Sequence, residues 1–144
     1  MSRQVGMYIE DLTEGQAASF TKTITEADIV LFAGISGDTN PVHLDANFAA
    51  GTMFKERIAH GMLSASLIST VIGTKLPGPG AIYLSQTLTF KAPVKIGDTV
   101  TATCTVDTIK VEKRRALIKC VCSVGDQVVI LGEAVILVPS NKAG

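Results

Sequence analysis

The chain has 144 residues, which suits a single domain, and 47% of them are hydrophobic, enough for a sizeable core. Its 13 basic and 13 acidic residues cancel, which argues against a nucleic acid or an anionic membrane as partner and favours a small molecule or a second copy. The opening residues MSRQVGMYIEDL lack the apolar core of a signal peptide, so we expect a soluble, cytoplasmic protein.

The first elements are a strand and a helix. Phe20, Lys22 and Ile24 alternate in a way that indicates a first strand. The stretch TEADIVLFAGIS then predicts a helix, because Thr25 can cap it and Asp28 follows three residues later in a variant of the capping box.

A short polar stretch, SGDTNPVHLD, follows this helix at residues 36–45. Gly37 and Pro41 interrupt regular structure, so SGDTNPVH is predicted to be a loop. We expect Asn40 to secure the backbone of that loop, and Asp45 to cap a short helix through ANFAAG. Asp38 and His43 remain as the side chains available for chemistry.

A third and longer helix is predicted over HGMLSASLISTVIG, residues 60–73. Its larger apolar side chains form a broad stripe at helical spacing, and its other residues are small. A helix without charges is expected to be covered on most sides. The uncharged run from 58 to 74 falls short of a membrane span, because it carries His60 and several serines and threonines.

Strands dominate from Ala81 onward, where the hydrophobic period changes to two. TVTATCTVD, ALIKCVCSV and VVILGEAVILV read as strands, with a tight hairpin at Gly125 and Asp126 and a solvated turn at KVEKRR. This pattern predicts one α+β domain from Gly15 to Pro139, with an antiparallel sheet covered by the uncharged helix and with tails at 1–14 and 140–144. The sheet edge favours pairing with a second copy, in a homodimer or a larger homo-oligomer.

The three cysteines are expected to be reduced, buried thiols. Cys120 and Cys122 lie two apart on a predicted strand, so both side chains share one face and do not bridge easily. A zinc site is also poorly supported, because two histidines and a nearby aspartate lack ligand spacing and a soft partner.

Several motifs together resemble the MaoC-like (R)-specific enoyl-CoA hydratases. They are GDTNPVHLD, HGML seventeen residues after His43, SASLIS, and PGPGAIYLSQTLTFKAPVKIGDTV. The resemblance extends over residues 15–139 and implies a single hotdog domain, in which a curved antiparallel sheet wraps a long central helix. It also implies hydration of a trans-2-enoyl-CoA to an (R)-3-hydroxyacyl-CoA without metal or organic cofactor.

The same resemblance implies roles for four residues. Asp38 and His43 would do the acid–base work, Ser69 would support them, and the backbone N–H of Gly61 would contact the oxyanion. The chemistry agrees, because hydration needs a site that holds and deprotonates water and a donor aimed at the thioester oxygen, where charge develops. A helix start supplies such a donor. His60, just outside the helix, is expected to hold its start.

Substrate contacts are less visible in the sequence. Lys91 is a candidate for the phosphates of coenzyme A, as are Lys95 and Arg57. The acyl tail is expected beside Leu63 and Leu67.

Three other functions compete with hydration. A hotdog thioesterase often carries an acidic residue on the central helix, whereas here no Asp or Glu occurs between Glu56 and Asp98. A non-catalytic module that binds acyl thioesters, or a structural dimerisation domain, would leave the joint presence of Asp38 and His43 unexplained.

Overall fold

The computed structural model describes residues 6–142, and within this range five strands and four α-helices form one domain. The strands are β1 (Ala17–Thr23), β2 (Ile82–Phe90), β3 (Thr99–Lys110), β4 (Arg115–Val124) and β5 (Gln127–Leu137). The helices are α1 (Glu26–Ser36), α2 (Pro41–Leu44), α3 (Ala46–Ala50) and α4 (Gly61–Thr74). The strands pair antiparallel in the order β1-β3-β4-β5-β2, which confirms the predicted α+β class.

Helix α4 packs across β3, β1 and β4 and closes the core, as its lack of charge predicts. Its buried apolar residues are Ala65, Leu67, Ile68, Val71 and Ile72. Every second residue of β3 packs toward this face of the helix. These residues, Val100, Ala102, Cys104 and Val106, are at most 1% exposed. The apolar face of the helix, with a period of 3.6 residues, therefore packs against the apolar face of the strand, with a period of two residues, in one core.

Local sequence signals at the turns and caps behave as expected. Thr25 Oγ1 accepts a hydrogen bond from Asp28 N at 3.1 Å, and Asp28 Oδ2 accepts one from Thr25 N at 2.9 Å, which completes the capping box. Gly125, at φ +58°, and Asp126 join β4 to β5 in a two-residue turn.

One predicted loop contains a helix. Residues 37–40 are irregular, but Pro41–Leu44 form α2, with Pro41 in its first turn. Proline ends a preceding helix and is also favoured at the first position of a new one, so the same residue carries both signals.

The segment ahead of the predicted domain start packs into the same core. Ile9, in a short 3-10 helix at Ile9–Asp11, is 1% exposed, and its N–H donates to the Pro139 carbonyl at 2.8 Å. A domain that began at Gly15 would therefore leave out residues of the hydrophobic core, such as Ile9. Residues 1–5 and 143–144, the outer parts of the predicted tails, lie outside the described residues.

All three cysteines are buried and free. Cys104 and Cys120 lie opposite each other on β3 and β4, with their sulfur atoms 4.0 Å apart. The hydrogen bond to Cys120 and burial raise the pKa of Cys104, and burial raises the pKa of Cys122 to about 12. Thiols in this state pack as small apolar groups.

In the range 6–142, the helices are all too short or too polar to cross a membrane.

Candidate active site

Asp38 lies on the exposed turn between α1 and α2. Its N–H donates to Ser36 Oγ at 3.1 Å, and its carboxylate accepts from Asn40 N at 3.2 Å. Asn40 in turn caps α2, because its side-chain oxygen accepts from Val42 N at 3.1 Å. Asn40 therefore shapes the backbone between the two candidate catalytic residues, Asp38 and His43.

Asp45 ends this stretch as the N-cap of α3. Its Oδ1 accepts hydrogen bonds from Asn47 N at 2.9 Å and from Phe48 N at 3.1 Å. The carboxylate is therefore engaged by the helix start, as the sequence indicates.

His43 is 8% exposed, and a hydrogen bond to a segment outside α2 holds its ring. Ring atom Nδ1 lies 2.8 Å from the carbonyl oxygen of Ile58. A carbonyl only accepts, so Nδ1 carries the proton, and in the neutral ring Nε2 is a free acceptor. The backbone is held too, since Ile58 N donates to the Val42 carbonyl at 3.3 Å and Arg57 Nε donates to the His43 carbonyl at 2.7 Å.

His60 touches both candidate catalytic residues. It is 2% exposed, its Nε2 donates to the carbonyl oxygen of Asp38 at 2.9 Å, and its ring stacks on the His43 ring with centroids 3.8 Å apart. It occupies the N-cap position of α4, but its side chain makes no capping hydrogen bond. The expectation that it holds the helix start is therefore corrected: its side chain holds the Asp38 turn instead.

One ligand atom from each of Asp38, His43 and His60 lies within 4.8 Å of the other two. The stack is nevertheless unsuited to a shared metal ion. An imidazole nitrogen binds a metal ion that lies in the plane of the ring. The planes of the two stacked rings are only 26° apart, so no position close to both rings lies in both planes.

A cavity of about 550 Å³ opens beside the start of α4. Its walls are mostly apolar, and its polar groups include Gly61, Ser64 and Lys91. The other lining residues are Met53, Phe54, Ile58, Ala59, Met62, Phe90, Ala92, Pro93, Val94 and Ile130. A mostly apolar cavity with a few polar groups is typical of a small-molecule site.

The cavity accepts some of the expected substrate contacts and not others. Lys91 is exposed and lines it, whereas Leu63 is half-buried and Leu67 is 5% exposed in the core, and neither reaches it. Ser69 is exposed on α4, outside this lining, and Asp38 and His43 also lie just beyond it. The pair adjoins the cavity through Ile58, which lines it and accepts the hydrogen bond from His43.

Gly61 is the first residue of α4, so no carbonyl of that helix accepts its N–H. Phe90 covers its other side: a Cβ added at Gly61 would lie 2.6 Å from Phe90 Cε1. The ring of Phe90 therefore fills the space that a side chain at position 61 would take. The sequence contains no signal for this contact, because 29 residues separate the two positions.

Two of the three basic candidates for coenzyme A are already paired. Arg57 forms an ion pair with Glu26 at 2.6 Å in addition to its bond to His43, and its side chain is only 15% exposed. Lys95 lies 3.6 Å from Glu56. Lys91 is therefore the candidate that faces the cavity.

The MaoC like domain model matches residues 11–126 of the chain. The chain belongs to this family. An (R)-specific enoyl-CoA hydratase of Rhodospirillum rubrum is 59% identical to it over 93% of either chain. A 3-hydroxybutyryl-CoA dehydratase of Methylorubrum extorquens is 53% identical over 94% of this chain and 87% of its own. The solved R-hydratase PhaJ1 from Pseudomonas aeruginosa is 49% identical and superposes with a TM-score of 0.88, over 96% of this chain and 89% of that one.

Proposed function

We propose that the protein hydrates trans-2-enoyl-CoA to (R)-3-hydroxyacyl-CoA, reversibly and without a cofactor. The observation that carries the proposal is that one carboxylate oxygen of Asp38 and one ring nitrogen each of His43 and His60 lie within 4.8 Å of one another. The His43 ring donates from Nδ1 to the Ile58 carbonyl, so in the neutral ring Nε2 is the nitrogen that can accept. The similarity to curated hydratases of the same length supports this choice of substrate.

Water has two O–H bonds, and this site offers two acceptors for them. The Asp38 carboxylate accepts one and His43 Nε2 accepts the other, which leaves an oxygen lone pair directed away from both. Asp38 takes one proton as that oxygen bonds to C3, and the protonated Asp38 then gives this proton to C2, which restores the carboxylate. H and OH are thereby added across the double bond, and no other reactant is consumed.

Negative charge develops on the thioester oxygen between these two events. The N–H of Gly61 lies at the start of α4, where the helix dipole also favours negative charge. In this proposal Gly61 binds the oxyanion, and Ser69 has a supporting role. A backbone donor of this kind is typically responsible for about 100-fold of a rate enhancement or more.

Lys91 is proposed to bind a phosphate group of coenzyme A at the cavity, and the apolar walls to receive the acyl chain. The thioesterase alternative is weaker, because α4 carries no acidic residue. A cytoplasmic location agrees with three free, buried thiols.

The decisive experiment follows the absorbance of the conjugated thioester when the protein meets crotonyl-CoA, with an enantioselective enzyme reading the product. We expect rapid loss and an (R) product, and a fall of at least about 100-fold in Asp38→Asn and in His43→Ala. Asp126→Asn, in the β4–β5 turn, is the matched control. Appearance of free thiol would instead indicate a thioesterase, and activity of Asp38→Asn close to that of the wild type would remove Asp38 as the base.

We also propose that the protein is a homodimer or a larger homo-oligomer joined at β2. Among residues 6–142 this strand lies at the edge of the sheet beside β5, and it exposes apolar side chains, among them Ile82 at 55% and Leu84 at 45%. Leu84→Lys should therefore sediment as a smaller species than the wild type, whereas Val111→Lys, at an exposed apolar residue in the β3–β4 turn, should not. Unchanged sedimentation of Leu84→Lys would contradict assembly through β2.

A further inference from the structure

Arg57 has a position that its sequence context does not explain. It precedes Ile58, whose carbonyl orients the His43 ring, and its own Nε bonds the His43 carbonyl at 2.7 Å. Two adjacent residues thus hold His43, one through the ring and one through the backbone. The His43 carbonyl lies in α2, a helix of a single turn.

The other end of the guanidinium is anchored. Arg57 Nη1 lies 2.6 Å from Glu26 Oε1, in the first turn of α1, and the arginine side chain is 15% exposed while that of Glu26 is 64% exposed. Arg57 therefore connects the beginning of α1 with the end of α2. These are the two helices that flank the turn that carries Asp38.

We propose that Arg57 is a positioning residue, which holds His43 so that its Nε2 and the Asp38 carboxylate share one water molecule. The proposal rests on the proposed hydration. It replaces the expectation that Arg57 binds coenzyme A, because the guanidinium does not line the cavity and its Nε and Nη1 donors are already engaged. The planar guanidinium group has separate N–H donors, so it can bind a backbone carbonyl and a carboxylate at the same time.

Steady-state kinetics with crotonyl-CoA test this proposal on Arg57→Leu and Arg57→Lys. Arg57→Leu should lower kcat by about 10- to 100-fold, because the water is misplaced, while KM stays near that of the wild type. Arg57→Lys keeps a donor and a charge and should show an intermediate kcat. Arg115→Leu is the matched control, because Arg115 also donates to a backbone carbonyl, that of Lys113, but does so at the β3–β4 turn.

A spectroscopic measurement separates positioning from general destabilisation. The chain has only two histidines, both in this site, so long-range ¹H–¹⁵N correlation spectra of histidine-labelled protein contain two ring systems. In Arg57→Leu the His43 signals should shift or broaden more than those of His60, which respond only through the stacking of its ring on that of His43. The Arg115→Leu spectrum should match that of the wild type.

The other outcomes overturn the proposal in distinguishable ways. A raised KM with unchanged kcat in Arg57→Leu would assign the residue to coenzyme A binding. Equal perturbation of the signals of both histidines would indicate that the substitution loosens the site generally. Unchanged His43 signals would indicate that Arg57 does not position this residue. Absence of hydration by the wild type would refute the proposed function, and the positioning role would fall with it.

Discussion

Ser64 presents an unusual case on α4, because its hydroxyl is buried without a partner. The residue is 1% exposed, and among residues 6–142 its Oγ and His60 Nδ1 are the buried side-chain polar atoms that make no hydrogen bond. Other hydroxyls of the helix donate to the preceding turn, as Thr74 Oγ1 does to the Thr70 carbonyl at 2.6 Å. The carbonyl that Ser64 would use, that of His60, already accepts two backbone N–H groups.

Replacing Ser64 by alanine should therefore stabilise the protein. A buried hydroxyl without a hydrogen bond costs about 1–3 kcal/mol, and alanine adds about 0.5 kcal/mol of helix propensity. The void left by one oxygen atom subtracts about 0.5 kcal/mol. The net expectation is a gain of about 1–3 kcal/mol in the free energy of unfolding, or a rise of a few degrees in Tm.

Urea unfolding of Ser64→Ala and the wild type measures this directly. Ser66→Ala is the control, because Ser66 is exposed and its hydroxyl donates to the Leu63 carbonyl, so its effect should stay within about 0.5 kcal/mol. A loss of stability in Ser64→Ala would refute the reasoning. It would mean that the hydroxyl has a partner in solution, and His60 Nδ1, one turn away, would be the first group to test.

Three further results are expected. Asp45→Ala should cost about 1 kcal/mol of stability in urea unfolding and little activity, because the residue only caps α3. Gly61→Ala should cost about 1–3 kcal/mol through the clash with Phe90, and much less when Phe90 is also alanine; equal costs in both backgrounds would contradict the clash. The hydrogen bond from Lys22 lowers the folded-state pKa of Asp28, so its stabilisation is present above the unfolded pKa of about 3.9 and is lost as pH falls through the folded value. The difference in urea midpoint between the wild type and Asp28→Asn should accordingly be largest near neutral pH and narrow in acid.

Local patterns determined much of the fold. The capping box at Thr25 and Asp28, the turn at Gly125 and the change from a helical period to a period of two each depend on residues close together in the chain. Such signals specify where elements begin and end, and the charge-free helix specifies what covers the sheet. The proximity of Asp38 and His43 belongs to the same class, because only five residues separate the turn position of Asp38 from His43 in α2.

Tertiary structure decided how the site is held. Arg57 and Ile58 reach back 14 and 15 residues to His43, and His60 reaches back 22 residues to Asp38. The bond to the Ile58 carbonyl selects Nε2 of His43 as the ring nitrogen that can accept, which no periodicity encodes. The ring of Phe90 over Gly61 likewise depends on the folded chain, which brings the last residue of β2 to the first residue of α4. A sequence shows which groups are available for hydrogen bonding, whereas only the folded chain brings a donor that is distant in sequence to a particular acceptor.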